Sequence, residues 1–149
     1  MGHVFAAMGA GASAGAILLF LSHIAPKFGA GNFVRDLDKP ILLGRSVTRR
    51  EAHFVGMFLH LVMSAVFGAG YAVLADHGLV SGFDPLPIFA WGLGLACVNG
   101  LVVFPIEGHG IFGIKEDSWF PVDLVITNLL WAALFWWLMR LWLGLAISS

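Results

Sequence analysis

The chain has 149 residues, enough for one domain, and its composition is 59% hydrophobic and only 11% charged, with a mean hydropathy of +0.89. Soluble domains carry about 25% charged residues, so this composition excludes an ordinary soluble protein. The formal net charge of −1 argues against nucleic-acid binding, because neutralising phosphates requires a basic surface. The single cysteine, Cys97, excludes an intramolecular disulfide and a CxxC redox pair.

Four apolar segments have the length of about 20 residues that a transmembrane helix requires. We predict helices at residues 4–25, 53–74, 88–104 and 119–139, in one integral membrane domain that spans residues 1–149. No basic n-region precedes the first segment, so we interpret it as a retained helix and not as a signal peptide. The predicted fold is an all-α membrane protein, a bundle of four transmembrane helices.

Local signals mark the ends of these helices. Thr48 is followed three residues later by Glu51, immediately before an apolar run, which is the capping-box pattern of a helix start. Pro105 ends the third predicted helix, because a proline removes a helical hydrogen bond. Pro121 suits the first turn of the fourth helix, where a backbone N–H has no helical partner.

The distribution of basic residues predicts an orientation. Residues 26–52 form the only long polar stretch, and they contain six lysines and arginines: Lys27, Arg35, Lys39, Arg45, Arg49 and Arg50. The loop after the third helix, on the same side, adds Lys115, whereas residues 75–87 contain neither Lys nor Arg. The positive-inside rule therefore predicts a basic cytoplasmic loop at 26–52 and both termini outside, in the plasma (inner) membrane of a prokaryote.

A short internal similarity aligns residues 60–67 with residues 128–135. Such a repeat predicts two helical hairpins in the same orientation, related by an axis along the membrane normal.

Small residues at every fourth position predict close contacts between helices. The first three helices carry such stripes: Ala7, Gly11 and Gly15; Gly56, His60, Ser64 and Gly68; Gly92, Ala96 and Gly100. The fourth helix has no such stripe and is rich in Trp, Leu and Phe. We therefore expect it to pack more loosely or to face a partner protein.

Four polar residues lie at a similar depth within the predicted helices: His60, Asn99, Thr127 and Asn128. At 1.5 Å per residue, this depth is roughly 9–12 Å from the cytoplasmic boundary. Polar groups inside a bilayer are costly and face the bundle interior or a partner. The sequence therefore predicts one intramembrane polar layer, with Ser64 one turn beyond it.

Further groups that can ligate a metal lie between this layer and the cytoplasm: His23, His53, Glu107, His109 and Asp123. Imidazole and carboxylate ligands suit zinc, iron or manganese, so these five residues form a candidate site for a divalent metal. Glu107 and His109 are two residues apart, which is not the spacing of two ligands on one helix face.

His60 has two other candidate roles. A lone intramembrane histidine can be the axial ligand of a haem or pigment, although no second histidine lies at a matching depth for a bis-histidine haem. Imidazole also titrates in a useful range, which suits a proton or solute path through the polar layer. The alternative without a function is that His60, Asn99 and Asn128 hydrogen-bond one another and specify the fold.

Residues 56–68, in the second helix, resemble small prokaryotic membrane proteins of unknown function, broadly of the YagU type of inner-membrane protein. The loop at 105–113, which leads into a final aromatic helix, carries the same resemblance. The resemblance implies a four-helix architecture and no particular chemistry.

The sequence contains no GxSxG, no HExxH and no Walker glycine loop, so it indicates no catalytic residue. Our first prediction is a small accessory or structural subunit, bound to the lipid bilayer and to other membrane subunits or to itself. The second is a protein that binds haem, pigment or metal or conducts protons, centred on His60 and the Glu107/His109 loop. The third is a small transporter that acts as an oligomer, since 149 residues make only half of a usual transporter.

Overall fold

The computed structural model describes residues 2–24, 41–42, 45–46, 48–106, 109–115 and 118–144. These residues are helical apart from connecting turns and one short pair of strands. The helices are α1 Gly2–Ile24, α2 Arg49–Asp76, α3 Pro85–Val98, α4 Phe104–Ile106 and α5 Phe120–Trp142. The strands β1 Ile41–Leu42 and β2 Arg45–Ser46 pair antiparallel, with Ile41 opposite Ser46. Most of the predicted basic loop lies outside the described residues.

Within the described residues, four helices are long and apolar enough to cross a membrane: Gly2–Ile24, His53–Asp76, Pro85–Ile106 and Phe120–Trp142. Each corresponds to one predicted segment, so the prediction of a helical protein with four helices of membrane-spanning length is confirmed for this part of the chain. The boundaries differ by up to four residues at individual ends.

The start of α2 shows how the sequence sets a helix boundary. The Thr48 hydroxyl accepts a hydrogen bond from the Glu51 N–H at 3.2 Å, and the Thr48 N–H donates to the Glu51 carboxylate at 3.0 Å. This is the complete capping box that the sequence predicts. Because the box fixes the first turn, α2 begins at Arg49 instead of the predicted residue 53.

Pro105 does not end the third membrane-length helix, contrary to the prediction. Residues Asn99–Val103 form a π-helical turn, in which the Phe104 N–H donates to the Asn99 carbonyl. A proline has no N–H and its ring clashes with the carbonyl four residues earlier. The wider π-turn accommodates this defect, so the helix continues as α4 to Ile106.

The helices run alternately up and down. Ala7 in α1 lies against Gly68 in α2, whereas His23 at the end of α1 meets His53 near the start of α2. Similarly, Gly92 in α3 lies against Ala132 in α5. We call the end where α1 and α4 finish and α2 and α5 begin the basic end, and the opposite end the tyrosine end.

Extensive contacts join α1 with α2, α1 with α5, and α3 with α5. The helices therefore follow the spatial order α2, α1, α5, α3. The predicted twofold axis would relate the hairpin α1–α2 to the hairpin α3–α5, so that α1 corresponds to α3 and α2 to α5. The contact between α2 and α3 would then be as large as the contact between α1 and α5. The α2–α3 contact is much smaller, which counts against the predicted parallel relation of the two hairpins.

The seam between α1 and α2 depends on glycines that bring the two backbones together. The Cα atoms of Gly11 and Gly68 approach so closely that a Cβ on either would lie about 3.2 Å from the other. A Cβ on Gly68 would also collide with the Ala7 carbonyl, and one on Gly15 with the Ser64 side chain. The predicted small-residue stripes of the first two helices thus form one interface.

The final helix, α5, is not loosely attached. Trp131, Phe135 and Met139 are buried against its neighbours, and the Trp131 indole N–H donates to the Gly11 carbonyl at 3.3 Å. Small residues on the other helices, such as Gly92, leave room for α5 to pack closely. The expectation of a loosely packed fourth helix is therefore wrong, because the interface takes its small residues from α1 and α3.

Aromatic side chains close the tyrosine end. Tyr71 is fully buried, and its ring contacts Phe83, Trp91 and Phe135 at centroid distances of 5.7, 6.2 and 5.8 Å. Its hydroxyl donates to the Gly82 carbonyl at 2.7 Å. One side chain therefore ties α2 to α3, to α5 and to the loop between α2 and α3.

Candidate functional site

The basic end brings together two of the five predicted metal ligands. His23, in the last turn of α1, and His53, in the second turn of α2, place their Nε2 atoms 3.3 Å apart. Their rings meet nearly edge to face, with centroids 5.3 Å apart. Both side chains are exposed, so the pair is open to its surroundings.

The other ring nitrogen of His23 fixes its tautomer. Nδ1 lies 2.7 Å from the Leu19 carbonyl, one turn earlier in α1. A carbonyl oxygen can only accept, so Nδ1 carries the proton and donates it. The Nε2 atom of a neutral His23 therefore presents a lone pair toward His53.

The remaining predicted ligands do not form a larger cluster with this pair. Glu107 lies outside the described residues. The His109 ring contacts Phe104 at 6.2 Å, and Asp123 lies in the first turn of α5, where the helix dipole favours a carboxylate. Within the described ranges, no group of three or more His, Cys, Asp or Glu side chains is arranged to hold a metal ion.

His60 lies two turns below His53 on the same face of α2, about 10 Å deeper along the helix. Its ring lies against Gly15 of α1. The Nε2 atom is buried and has no hydrogen-bond partner among the described residues. Leaving such an atom without a partner costs about 1–3 kcal/mol.

The predicted polar layer is not a hydrogen-bonded network. The Asn128 amide donates to the Leu124 carbonyl of its own helix at 2.9 Å. Asn99 begins the π-turn. Among the described residues, no side-chain hydrogen bond connects any two of His60, Asn99, Thr127 and Asn128. The interpretation in which these residues bond one another to specify the fold therefore lacks the contacts it requires.

The loop between α4 and α5 is tied down by aromatic contacts. Phe112 adopts a left-handed backbone conformation with φ of 53°, which is strained for a non-glycine residue. Its ring rests directly on Gly100 in the π-turn, where any Cβ would collide with it. Phe104 and Phe120 meet edge to face at 5.2 Å beside it. The loop therefore packs against the π-turn and against Phe104.

One carboxylate outside the membrane-length segments has a shifted pKa. Hydrogen bonds donated by the Thr48 N–H and hydroxyl stabilise the Glu51 carboxylate and hold its pKa below the ordinary value of 4.5. Glu51 is fully exposed, so this shift belongs to the helix cap and not to a buried site.

Sequence reasoning missed Tyr71 and the exposed face of α3. Tyr71 is the only tyrosine in the chain, and a lone polar ring in an apolar helix is a signal that it has a specific partner. Ala90 and Gly94, four residues apart on α3, are out of phase with the stripe at Gly92, Ala96 and Gly100, and both are exposed. A second small-residue pattern on one helix could have indicated a second interface.

No protein-family model matches the chain, and no significant match was found among curated proteins or solved structures. The resemblance to YagU-type proteins therefore stays a prediction.

Proposed function

We propose that this chain is a structural subunit of a membrane complex. In this complex, it associates with another transmembrane chain through the exposed face of α3. The four membrane-length helices and the many exposed large apolar side chains, such as Phe20, Phe58 and Leu101, support insertion into a bilayer. The basic residues at one end support the orientation with both termini outside.

The observation that carries the association is the open position of Gly94. A glycine in a helix costs about 1 kcal/mol relative to alanine. Gly11, Gly68, Gly92 and Gly100 occupy places where a Cβ would collide with a neighbour, whereas Gly94, like Gly56 in α2, has nothing within 4 Å. It lies in the middle of its membrane-length helix, with exposed Ala90 one turn before it. Small residues in this arrangement allow another helix to approach closely.

The chain's only cysteine lies on the same face. Cys97 follows Gly94 by three residues and is exposed. It can therefore report contact on this face without any engineered cysteine.

The test is the mass and composition of the native particle, extracted gently from its own membrane. Co-purification with other subunits at a fixed ratio supports the proposal. Gly94→Leu fills the open position without touching the rest of the bundle, so we expect it to release this chain from the assembly. Ala16→Leu, a similar change at an exposed site on α1, is the matched control and should leave the assembly intact.

Chemical labelling of Cys97 adds an independent measurement. We expect a thiol reagent that partitions into the bilayer to react more slowly with Cys97 in the intact particle than in the Gly94→Leu variant. A particle that contains a single copy of this chain alone contradicts the proposal. So does a Gly94→Leu variant that assembles normally.

A second candidate function rests on His60. Its Nε2 atom is buried and has no hydrogen-bond partner among the described residues. Polar groups inside a membrane are energetically costly, and those that occur there are commonly functional. Because this atom is buried, a haem or pigment could reach it only if the packing around it opened. A proton-carrying role requires no such opening.

Proton uptake into liposomes that is lost in His60→Ala and kept in His77→Ala would support that role. Equal uptake in both variants would contradict it.

A further inference from the structure

The distance between His23 and His53 matches the span of two ligands on one metal ion. A zinc-like ion binds imidazole nitrogen at about 2.0–2.1 Å in tetrahedral geometry, which places two ligand nitrogens about 3.3–3.4 Å apart. The two Nε2 atoms are 3.3 Å apart. An ion bound by both nitrogens would lie to one side of the line that joins them, so the two rings would turn toward it while α1 and α2 kept their separation.

The orientation of His23 is also that of a metal ligand. Histidines that ligate metals almost always donate the other ring N–H to a carbonyl or carboxylate, which fixes the ring and raises its basicity. The Leu19 carbonyl accepts this bond from His23 Nδ1 at 2.7 Å. This bond leaves the Nε2 lone pair of neutral His23 available to a metal ion.

We propose that His23 and His53 bind one divalent transition-metal ion of the zinc class, bridging α1 and α2 at the basic end. Imidazole suits Zn²⁺, Ni²⁺ and Cu²⁺, and the tetrahedral span favours Zn²⁺ and Co²⁺. His53 binds as a neutral ligand when its remaining proton is on Nδ1. This proposal does not depend on the proposed function, because its residues lie on different helices from Ala90 and Gly94.

The two histidines leave some coordination positions of the ion open to exchangeable ligands. No third His, Cys, Asp or Glu in the described part of the chain joins the pair. Because both imidazoles are exposed, water completes the coordination. The site is therefore one at which metal exchanges with the surroundings, unlike a closed four-ligand structural site.

His77 provides a matched control within the same chain. Like His23, it is exposed, lies at the end of a helix and places Nδ1 against the carbonyl four residues earlier, at 2.8 Å from Val73. No second imidazole faces it at hydrogen-bond distance in the described structure. It has the orienting bond without the second ligand, so it isolates the contribution of the pair.

The test uses the full chain in detergent micelles, purified without a histidine tag and titrated calorimetrically with Zn²⁺ alone. We expect one ion per chain, with affinity reduced more than about tenfold in His23→Ala and in His53→Ala, because each removes one of two ligands. His77→Ala should bind as the wild type does. Co²⁺ added instead of Zn²⁺ should give the strong visible absorption of a tetrahedral site in the wild type and in His77→Ala.

Absence of Zn²⁺ binding in the wild type overturns the proposal. Equal affinities in the three alanine variants and the wild type overturn it too, as does an equal loss in His77→Ala. A weak octahedral Co²⁺ spectrum that does not change in His23→Ala would also count against the pair. A thermal scan with and without Zn²⁺ checks folding, since only proteins with both histidines should gain melting temperature from the ion.

Discussion

The two ends of α2 are held to the rest of the bundle by different kinds of contact. Near the tyrosine end, Tyr71 is buried among three aromatic rings and bonded to the Gly82 carbonyl. At the basic end, exposed His53 meets the exposed rings of His23 and of its neighbour Phe54. The buried rings are held by packing on several sides, whereas the two exposed imidazoles are accessible to a metal ion. The proposed metal site therefore lies at the less tightly packed end of α2.

The largest expected effect comes from Tyr71→Ala, which removes the centre of the aromatic cluster. Deleting a buried aromatic ring typically costs 3–5 kcal/mol, so we expect a loss of about that size in the free energy of unfolding. Titration with denaturing detergent, followed by circular dichroism, measures it. His53→Ala is the matched change at the other end and should cost less than about 1 kcal/mol.

Tyr71→Phe separates the hydroxyl from the ring. It should cost only about 0.5–1.5 kcal/mol, the value of one hydrogen bond. If Tyr71→Ala and His53→Ala destabilise equally, the contrast between the two ends is wrong.

An intermediate effect comes from the glycines of the α1–α2 seam. A methyl group on Gly68 meets the Ala7 backbone, which cannot rotate away, so we expect Gly68→Ala to cost about 1–3 kcal/mol. Gly15→Ala meets Ser64 Oγ, which can rotate away, and Ser64 Cβ at 2.8 Å, which moves only with the backbone. We expect it to cost less than Gly68→Ala, because its closest contact can be relieved by a rotamer change. Gly56→Ala, where nothing lies within 4 Å, should be neutral or stabilising by up to about 1 kcal/mol.

Thermal unfolding of the three variants in one detergent ranks these costs. The ranking tests whether the half of the seam nearer the tyrosine end is the more rigid one. A larger loss in Gly15→Ala than in Gly68→Ala would reverse that conclusion.

The smallest expected effect is a pH dependence at the start of α2. Because the folded pKa of Glu51 lies below 4.5, its charged form contributes stability above that pH. This contribution is lost as the pH falls from 4.5 through the lower folded value. Melting temperatures measured between about pH 3 and pH 6 should therefore decline less in Glu51→Gln than in the wild type, since glutamine keeps the cap without a titratable group. Parallel curves for the two proteins would show that the carboxylate does not act through its charge.

Much of the architecture follows from local sequence, because hydropathy marks four helices and the Thr48–Glu51 box marks one helix start. The glycine spacing also predicted that Ala7, Gly11 and Gly15 form a seam. The π-turn could not be predicted, because it depends on how Pro105 is accommodated against the loop that carries Phe112. The secure packing of α5 was missed for a related reason, since its small partners lie on other helices.

The candidate site was predictable in its residue types but not in its geometry. Five candidate metal ligands could be named from their positions near one predicted membrane boundary. Which two of them meet depends on the register of α1 against α2, and this register is set by Gly11 and Gly68, far along both helices. The contact between His23 and His53 is therefore a consequence of helix packing elsewhere along α1 and α2.

The π-turn at Asn99–Val103 has a consequence for how this helix tolerates change in chain length. A π-turn adds one residue to an α-helix, so every later side chain is rotated by about 100° from its position in a regular helix. Gly92 faces α5 before the turn, and Phe104 still faces Phe120 after it. Deleting one residue between 99 and 103 would give a regular helix that turns Phe104 away from Phe120. The extra residue therefore acts as a phase correction, which allows one helix to keep the same neighbour along its whole length.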